Sequence, residues 1–304
     1  MDEIAKNLLS QIADLHEIPS GAFSFRENGK SVVINSTANI EIVKKQDKSG
    51  IDIFIKRGTK NQSLHIPVVI TQGGVNDLVF NDFHIAENCD VLIVAGCGIH
   101  NADKVASRHD GIHSFVIGKN SKVKYIERHL GIGNFEKILN PTTIIEMNEN
   151  AVFEMETTQI GGVSFASRKT TAKLGNNAKL LVKEKILTTE NQTAKTAFNV
   201  ELIGENSVVE VISRVVAKDN SYQEFSSNII GKNACFGRVE CDGIILGNAK
   251  IKSNPSVFAE NVNASLTHEA QIGKIAGDQL IKLMSLGLSK TESENTIIEG
   301  FLEN

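Results

Sequence analysis

The stretch Gly175-Asn176-Asn177-Ala178-Lys179-Leu180-Leu181-Val182-Lys183-Glu184 joins a Gly-Asn turn to a run of strand length with apolar residues in alternation. The same construction recurs at Gly118-Lys119-Asn120-Ser121 before Val123-Lys124-Tyr125-Ile126-Glu127, at Gly204-Glu205-Asn206-Ser207 before Val208-Val209-Glu210-Val211-Ile212, and at Gly231-Lys232-Asn233-Ala234. Looser copies stand at Asn88-Cys89 and Asn150-Ala151. From Asn88 to Asn233 these asparagines lie 27 to 32 residues apart, a period in the range of stacked repeats. Gly247-Asn248-Ala249 and Asn263-Ala264 follow at about half that spacing, as if each rung carried two corners. Asn and Gly both tolerate the positive φ that a tight corner between strands requires.

Long intervals between corners favour a mainly β solenoid over hairpins, whose turns would recur at shorter spacing. An antiparallel sandwich or barrel is the competing architecture, since it too yields evenly spaced short strands. The absence of Trp and the presence of only four Pro fit continuous strand stacking. Helical periodicity is confined to the ends, which predicts a helix within residues 1–20, a β core over 21–275 and a helical segment over 276–304. Ala5 to Leu15 places Leu8, Leu9, Ile12 and Leu15 on one face before Pro19-Ser20-Gly21 breaks it. Asp278 to Leu286 carries Leu280, Ile281 and Met284 up to Gly287. Ser289-Lys290-Thr291-Glu292 is a capping-box pattern that opens a last helix with Ile297, Ile298, Phe301 and Leu302 as its apolar stripe. Such stripes pack on their own domain or dock a partner.

The chain of 304 residues, 41% apolar, can bury a large core. A net charge of −4 and no concentrated basic run argue against nucleic-acid binding. The N-terminus lacks a basic and then apolar leader pattern, and Val91 to Ile99 is too short to span a bilayer, so a cytoplasmic location is expected. Four Cys do not make a disulfide framework at this length and are read as thiols. No Gly-x4-Gly-Lys-Ser/Thr phosphate loop and no Gly-x-Ser-x-Gly elbow occurs, and no paired acids stand out.

Two groups of residues carry candidate chemistry. Cys241 precedes His268 by 27 residues, close to one repeat, with Glu269 beside it. A thiolate, an imidazole and a carboxylate from neighbouring rungs suit iron or an iron–sulfur cluster. Cys235 cannot join Cys241 on one ion, because six residues of strand span roughly 20 Å. The second group is Cys97, His100, His109, His113 and His129, which holds four of the eight histidines and suggests metal or sulfur handling. Its spacing matches no standard zinc module.

The segments Val239-Glu240-Cys241-Asp242-Gly243-Ile244-Ile245-Leu246-Gly247, Ala264-Ser265-Leu266-Thr267-His268-Glu269-Ala270, Gly277-Asp278-Gln279-Leu280, Gly287-Leu288-Ser289 and Ile298-Glu299-Gly300-Phe301 resemble the C-terminal half of the SufB/SufD iron–sulfur cluster assembly scaffolds. The resemblance is specific over roughly residues 230 to 302. It implies a right-handed parallel β-helix, a non-enzymatic scaffold, and a transient iron–sulfur cluster held by Cys241, His268 and Glu269. It also implies subunit pairing, here as a homodimer, and a separate SufC-type ABC ATPase docked on the C-terminal segment through Leu280, Met284, Ile297, Ile298 and Phe301. The chain departs from SufB in its short N-terminal region and in His129, which stands where SufB carries a cysteine. A carbohydrate-active β-helix enzyme and a purely structural partner-binding solenoid are the other two classes.

Overall fold

The structure, a computed structural model, describes residues 3–13, 15, 19 and 21–303. In chain order a helix α1 (Glu3–Ala13) precedes β1 (Ala22–Glu27), β2 (Lys30–Asn35), β3 (Ile40–Lys44), β4 (Gly50–Ile55), β5 (Lys60–Ile70), β6 (Asn76–Ile85), β7 (Asp90–His100), β8 (Ser107–Ile117), β9 (Lys122–Ile132) and β10 (Lys137–Leu139). There follow β11 (Thr142–Met147), β12 (Val152–Ile160), β13 (Phe165–Leu174), β14 (Lys179–Thr188), β15 (Thr193–Leu202), β16 (Ser207–Ala217), β17 (Tyr222–Gly231), β18 (Cys235–Ile245), β19 (Lys250–Ala259) and β20 (Ala264–Gly273), then α2 (Gly277–Ser285) and α3 (Lys290–Glu303). The expected N-terminal helix is present over Glu3–Ala13, Leu15 lies outside it, and Ser20 of the expected break is outside the described residues.

The chain alternates between two sheets. The first runs β2-β1-β5-β7-β9-β12-β14-β16-β18-β20 and the second β19-β17-β15-β13-β10-β8-β6-β4-β3, with β11 continuing β10 between β13 and β8. Pairing is parallel except at β1/β2 and β3/β4, so the fold is a parallel β-helix rather than a sandwich of hairpins. In β18 every second residue from Cys235 to Gly243 is buried, and the burial pattern repeats strand after strand. Those inward residues form one interior, where Phe83 and Phe115 stack at 4.2 Å and Phe115 meets Tyr125 and Phe153 at 5.1 Å.

The asparagine period has a physical cause. Asn88, Asn120, Asn150, Asn177 and Asn206 all sit in the left-handed region, at φ between 55° and 58°, which Asn tolerates better than other non-glycine residues. From Asn120 onward each amide also donates to the Asn one rung below, at 3.4, 2.9, 3.1 and 3.3 Å along the ladder. The second corner line falls one residue ahead of the expected Asn: Glu190, Asp219 and Gly247 take the positive φ, while Asn248 stacks on Asn220 at 3.3 Å.

At the ends, the capping box at Ser289 forms as read. Ser289 N–H donates to Glu292 Oε2 at 2.7 Å, and Glu292 N–H donates to Ser289 Oγ at 3.3 Å. Ile298 and Leu302 of α3 are buried against Val216 and Ile275, with Leu280, Ile297 and Phe301 partly covered in the same cluster. Helix α1 packs on the outer face of the first sheet through Leu8, Leu9 and Ile12, and glycine at 96 and 98 permits that approach, because a Cβ there would meet Ile12 and Leu8 within 3 Å. No helix among the described residues is long and apolar enough to cross a membrane.

Candidate functional site

The register of the last rung decides what the C-terminal group can do. On β18 and β20, Val239 pairs with His268, Glu240 with Glu269 and Cys241 with Ala270. Successive strand residues point to opposite faces. Cys241 and His268 therefore both face the interior, on diagonal positions, and Glu269 faces outward. Cys241 is fully buried, whereas His268 is exposed because no further rung covers β20. Outside, Arg238 gathers carboxylates: it bonds Glu240 at 2.7 Å and lies 3.7 Å from Glu269 and 3.8 Å from Glu210. The sheet thus joins Cys241 to His268 and parts both from Glu269 within one chain.

Burial pushes the Cys241 thiol up to about 11, with the Ser253 hydroxyl pulling weakly the other way and Glu184 adding to the rise. The thiol is protonated at neutral pH, so metal binding must release its proton.

The second group lies deep in the solenoid. Cys97 on β7 pairs in register with His129 on β9, and both line an interior cavity of about 20 Å³ together with His109, His113 and Glu127. That is room for one water-sized group. His100 is not part of it: alternation along β7 turns it to the outer face.

A chain of hydrogen bonds ties this cavity to a buried ion network. His113 Nδ1 donates to the Tyr125 hydroxyl at 2.9 Å, and that hydroxyl donates to Glu127 Oε1 at 3.1 Å. Arg168 pairs with the other Glu127 oxygen and donates to His129 Nδ1 at 3.1 Å. A nitrogen that accepts from guanidinium carries no proton, so neutral His129 is the Nε2–H tautomer, and Nε2 lies 3.5 Å from Glu127. Burial holds His113 down to about 4 and lowers His129 as well. Burial works to raise Glu127, but Arg168 and His129 outweigh it and keep its carboxyl well below the usual range. Burial also lifts the Cys97 thiol well above its ordinary value.

The network continues toward the C-terminal rung. Glu184, raised by burial, accepts from Thr196 at 2.9 Å and Ser213 at 2.7 Å, and Arg168 Nε lies 3.8 Å away. Register sets Glu127, Thr157, Glu184, Ser213 and Cys241 in one inward row across β9, β12, β14, β16 and β18. The hydroxyls of Thr157, Thr170 and Ser227 lack hydrogen-bond partners inside. One polar row therefore runs through the otherwise apolar interior, from the Cys97 cavity to Cys241. Among the described residues, no three His, Cys, Asp or Glu side chains converge to hold a metal ion.

Sequence reasoning missed Arg168, Glu127 and Glu184, although a signal exists. Each is a charged residue on the inward phase of its strand: Arg168 alternates with Ala166, Thr170, Ala172 and Leu174, and Glu184 with Leu180, Val182 and Ile186.

The fold and its interior define a parallel β-solenoid with thiols and imidazoles set in the polar part of a largely water-excluded core. The SufBD core domain of the SUF system for FeS cluster assembly matches residues 75–301, and the chain belongs to that family. Among curated proteins it is 28% identical to an iron-sulfur cluster assembly SufBD family protein of Archaeoglobus fulgidus, over 86% of this chain and 71% of the relative. It is 27% identical to one of Methanocaldococcus jannaschii, over 82% and 79%. It is 25% identical to the iron-sulfur cluster assembly protein SufB of Bacillus subtilis over 72% of this chain, which spans 47% of that longer protein.

Proposed function

We propose that this chain is a scaffold on which an iron–sulfur cluster is built as cargo at the interface of two copies, without catalytic activity of its own. The observation that carries this reading is the last rung. Its inward residues His268 and Ala270 are exposed one step from Cys241, and β19 and β20 present unpaired strand edges. A second copy apposed about a twofold axis would close that end and bring an outward Glu269 toward the opposing rung. Cys241 as thiolate and His268 would then hold iron, with Glu269 as a hard ligand from the partner copy.

A mixed ligand set of this kind binds a cluster less firmly than four thiolates, as release demands. Energy for release would come from a separate SufC-type ABC ATPase, in keeping with the lack of a phosphate loop here. Its docking face would be α2, where Ile281, Met284 and Leu286 are 69%, 44% and 73% exposed. Of the residues assigned to docking from sequence, Met284 lies on that face, while Ile298 is buried and Leu280, Ile297 and Phe301 are partly covered. The cavity at Cys97, His109, His113 and His129 would handle sulfur, since one sulfur atom on Cys97 fills about the space available.

Anaerobic reconstitution with iron and sulfide tests the proposal. Visible absorption with matched iron and sulfide, lost in Cys241→Ala and His268→Ala, supports it. Colour that survives both substitutions but disappears in Cys97→Ser relocates the site to the inner cavity and overturns the assignment.

A further inference from the structure

We propose that His109 and His113 form a two-imidazole site for one divalent metal ion of the borderline class, such as iron, cobalt or zinc. The site lies on a single strand. In His109-Asp110-Gly111-Ile112-His113 of β8, both histidines and the glycine between them occupy the inward, buried phase, and the two histidines are 5% and 7% exposed.

Gly111 makes the space. A Cβ there would stand 3.0 Å from His113 Nε2 and 3.3 Å from His109 Nε2, so the two nitrogens flank one point over the glycine. All three residues line the interior cavity of about 20 Å³, which is room for a single ion or water.

Each Nδ1 is held by a partner that fixes the ring and leaves Nε2 free. His109 Nδ1 lies 3.1 Å from Asp77 Oδ2, on a carboxylate that Arg26 clamps at 2.6 and 2.8 Å. His113 Nδ1 donates at 2.9 Å to the Tyr125 hydroxyl, which is itself bonded to Glu127. With the proton on Nδ1, each neutral ring carries its lone pair on Nε2. Among the described residues neither Nε2 has a hydrogen-bond partner.

Two lone pairs aimed at one buried point call for a cation or a donor between them. Imidazoles backed through their other nitrogen by a carboxylate, directly or through a hydroxyl, are the form in which proteins present histidine to a metal. His129 differs, because its Nδ1 lone pair is taken by Arg168 at 3.1 Å. No third His, Cys, Asp or Glu joins the pair among the described residues, so the ion keeps open positions, as one that exchanges ligands requires. Cys97 lines the same cavity, and an added sulfur atom on it would compete with the ion for that volume. Iron as the natural occupant rests on the assembly reading; the metal site itself does not.

The test uses the full chain carrying Cys241→Ala and His268→Ala, which lacks the C-terminal ligands, produced with cobalt(II) in the medium and purified without chelator. About one cobalt per chain, with visible ligand-field bands, is expected. Gly111→Ala in that background keeps both histidines and needs no unusual φ; by filling the gap it should cut the bound cobalt at least about tenfold, as should His109→Gln. His84→Gln, on the outer face of β6, should leave the count unchanged. X-ray absorption of the loaded parent counts imidazoles with no change at the site: two support the assignment and fewer overturn it. No cobalt in the parent, or cobalt retained by either Gly111→Ala or His109→Gln, also overturns it and leaves the gap to a water molecule. Because the parent lacks Cys241 and His268, the outcome is separate from cluster reconstitution, and either reading can fail alone.

Discussion

Cys241 and His268 face the same interior from adjacent strands, with Ala270 standing over Cys241 and Val239 beneath His268. Glu269 is on the opposite face of its strand, so an ion shared by all three needs the carboxylate of another copy. This predicts complementation. Cys241→Ala and Glu269→Ala chains, each colourless after reconstitution, should regain about a quarter of the wild-type cluster on mixing and dimer exchange, since roughly half the dimers are mixed and each holds one intact site of two. Iron and sulfide counts on the mixture check it; a mixture as empty as its parents would place the three ligands in one chain.

The stability of the solenoid should fall as pH drops from about 6.5 toward about 4. His113 is held at about 4 by burial, below the ordinary histidine value of 6.5. Between these values the unfolded chain binds more protons, so stability rises with pH across the window and is lost as pH falls. The span corresponds to on the order of 3 kcal/mol. His129, lowered by the same burial, adds to it with the same sign. Urea denaturation at pH 7 and pH 5 should show the drop in wild type and a clearly smaller one in His113→Gln; equal drops would mean that His113 does not carry the effect.

Replacement of Arg168 by Met should be among the most damaging single changes. It leaves Glu127 without its cation and Glu184 without its nearest positive charge in a water-excluded core. Removal of one partner from a buried pair costs about 3 to 5 kcal/mol. The triple change Arg168→Met, Glu127→Gln and Glu184→Gln should recover much of that loss. Thermal melts of the two variants decide the point, and a single variant as stable as wild type would show that water reaches the network.

The solenoid was legible because its cause is local: a corner that needs positive φ selects Asn, and a strand buried on one face selects alternation. Asn120 and the run after it carry both signals. The opposite orientations of His268 and Glu269 were also implicit, since adjacent strand residues cannot share a face, yet the pair reads as a unit when only composition is weighed. What sequence does not display is which rungs stack opposite one another. Arg168 meets Glu127 across 41 positions, and Ser253 lies beside Cys241 from the other sheet. These contacts depend on how the chain crosses between sheets, a property of the whole solenoid.

The asparagine ladder gives a prediction specific to the middle rungs. Asn150→Ala keeps the left-handed φ of 56° but loses the donor to Asn120 and the acceptor for Asn177. A non-glycine residue in that conformation costs about 1 to 2 kcal/mol. Asn150→Gly removes the backbone strain and leaves only the ladder loss, so it should be less destabilising than Asn150→Ala. Denaturation midpoints in that order, wild type highest and Ala lowest, are expected; Gly below Ala would show that the ladder is secondary to chain entropy.

The two C-terminal helices should separate folding from partner docking. Ile298 is buried against Val216 and Ile275, so Ile298→Asp places a carboxylate in an apolar contact at a cost of several kcal/mol, and should free α3 to exchange its amide hydrogens rapidly. Ile281 and Met284 project from α2 into solvent, so Ile281→Glu with Met284→Glu should leave exchange in α3 at the wild-type rate. That double variant should nevertheless lose binding to a SufC-type ATPase in a pull-down with the purified partner, where wild type retains it. Retention by the double variant would move the docking surface off α2, and loss in Ile298→Asp alone would tie docking to the seating of α3 on the sheet.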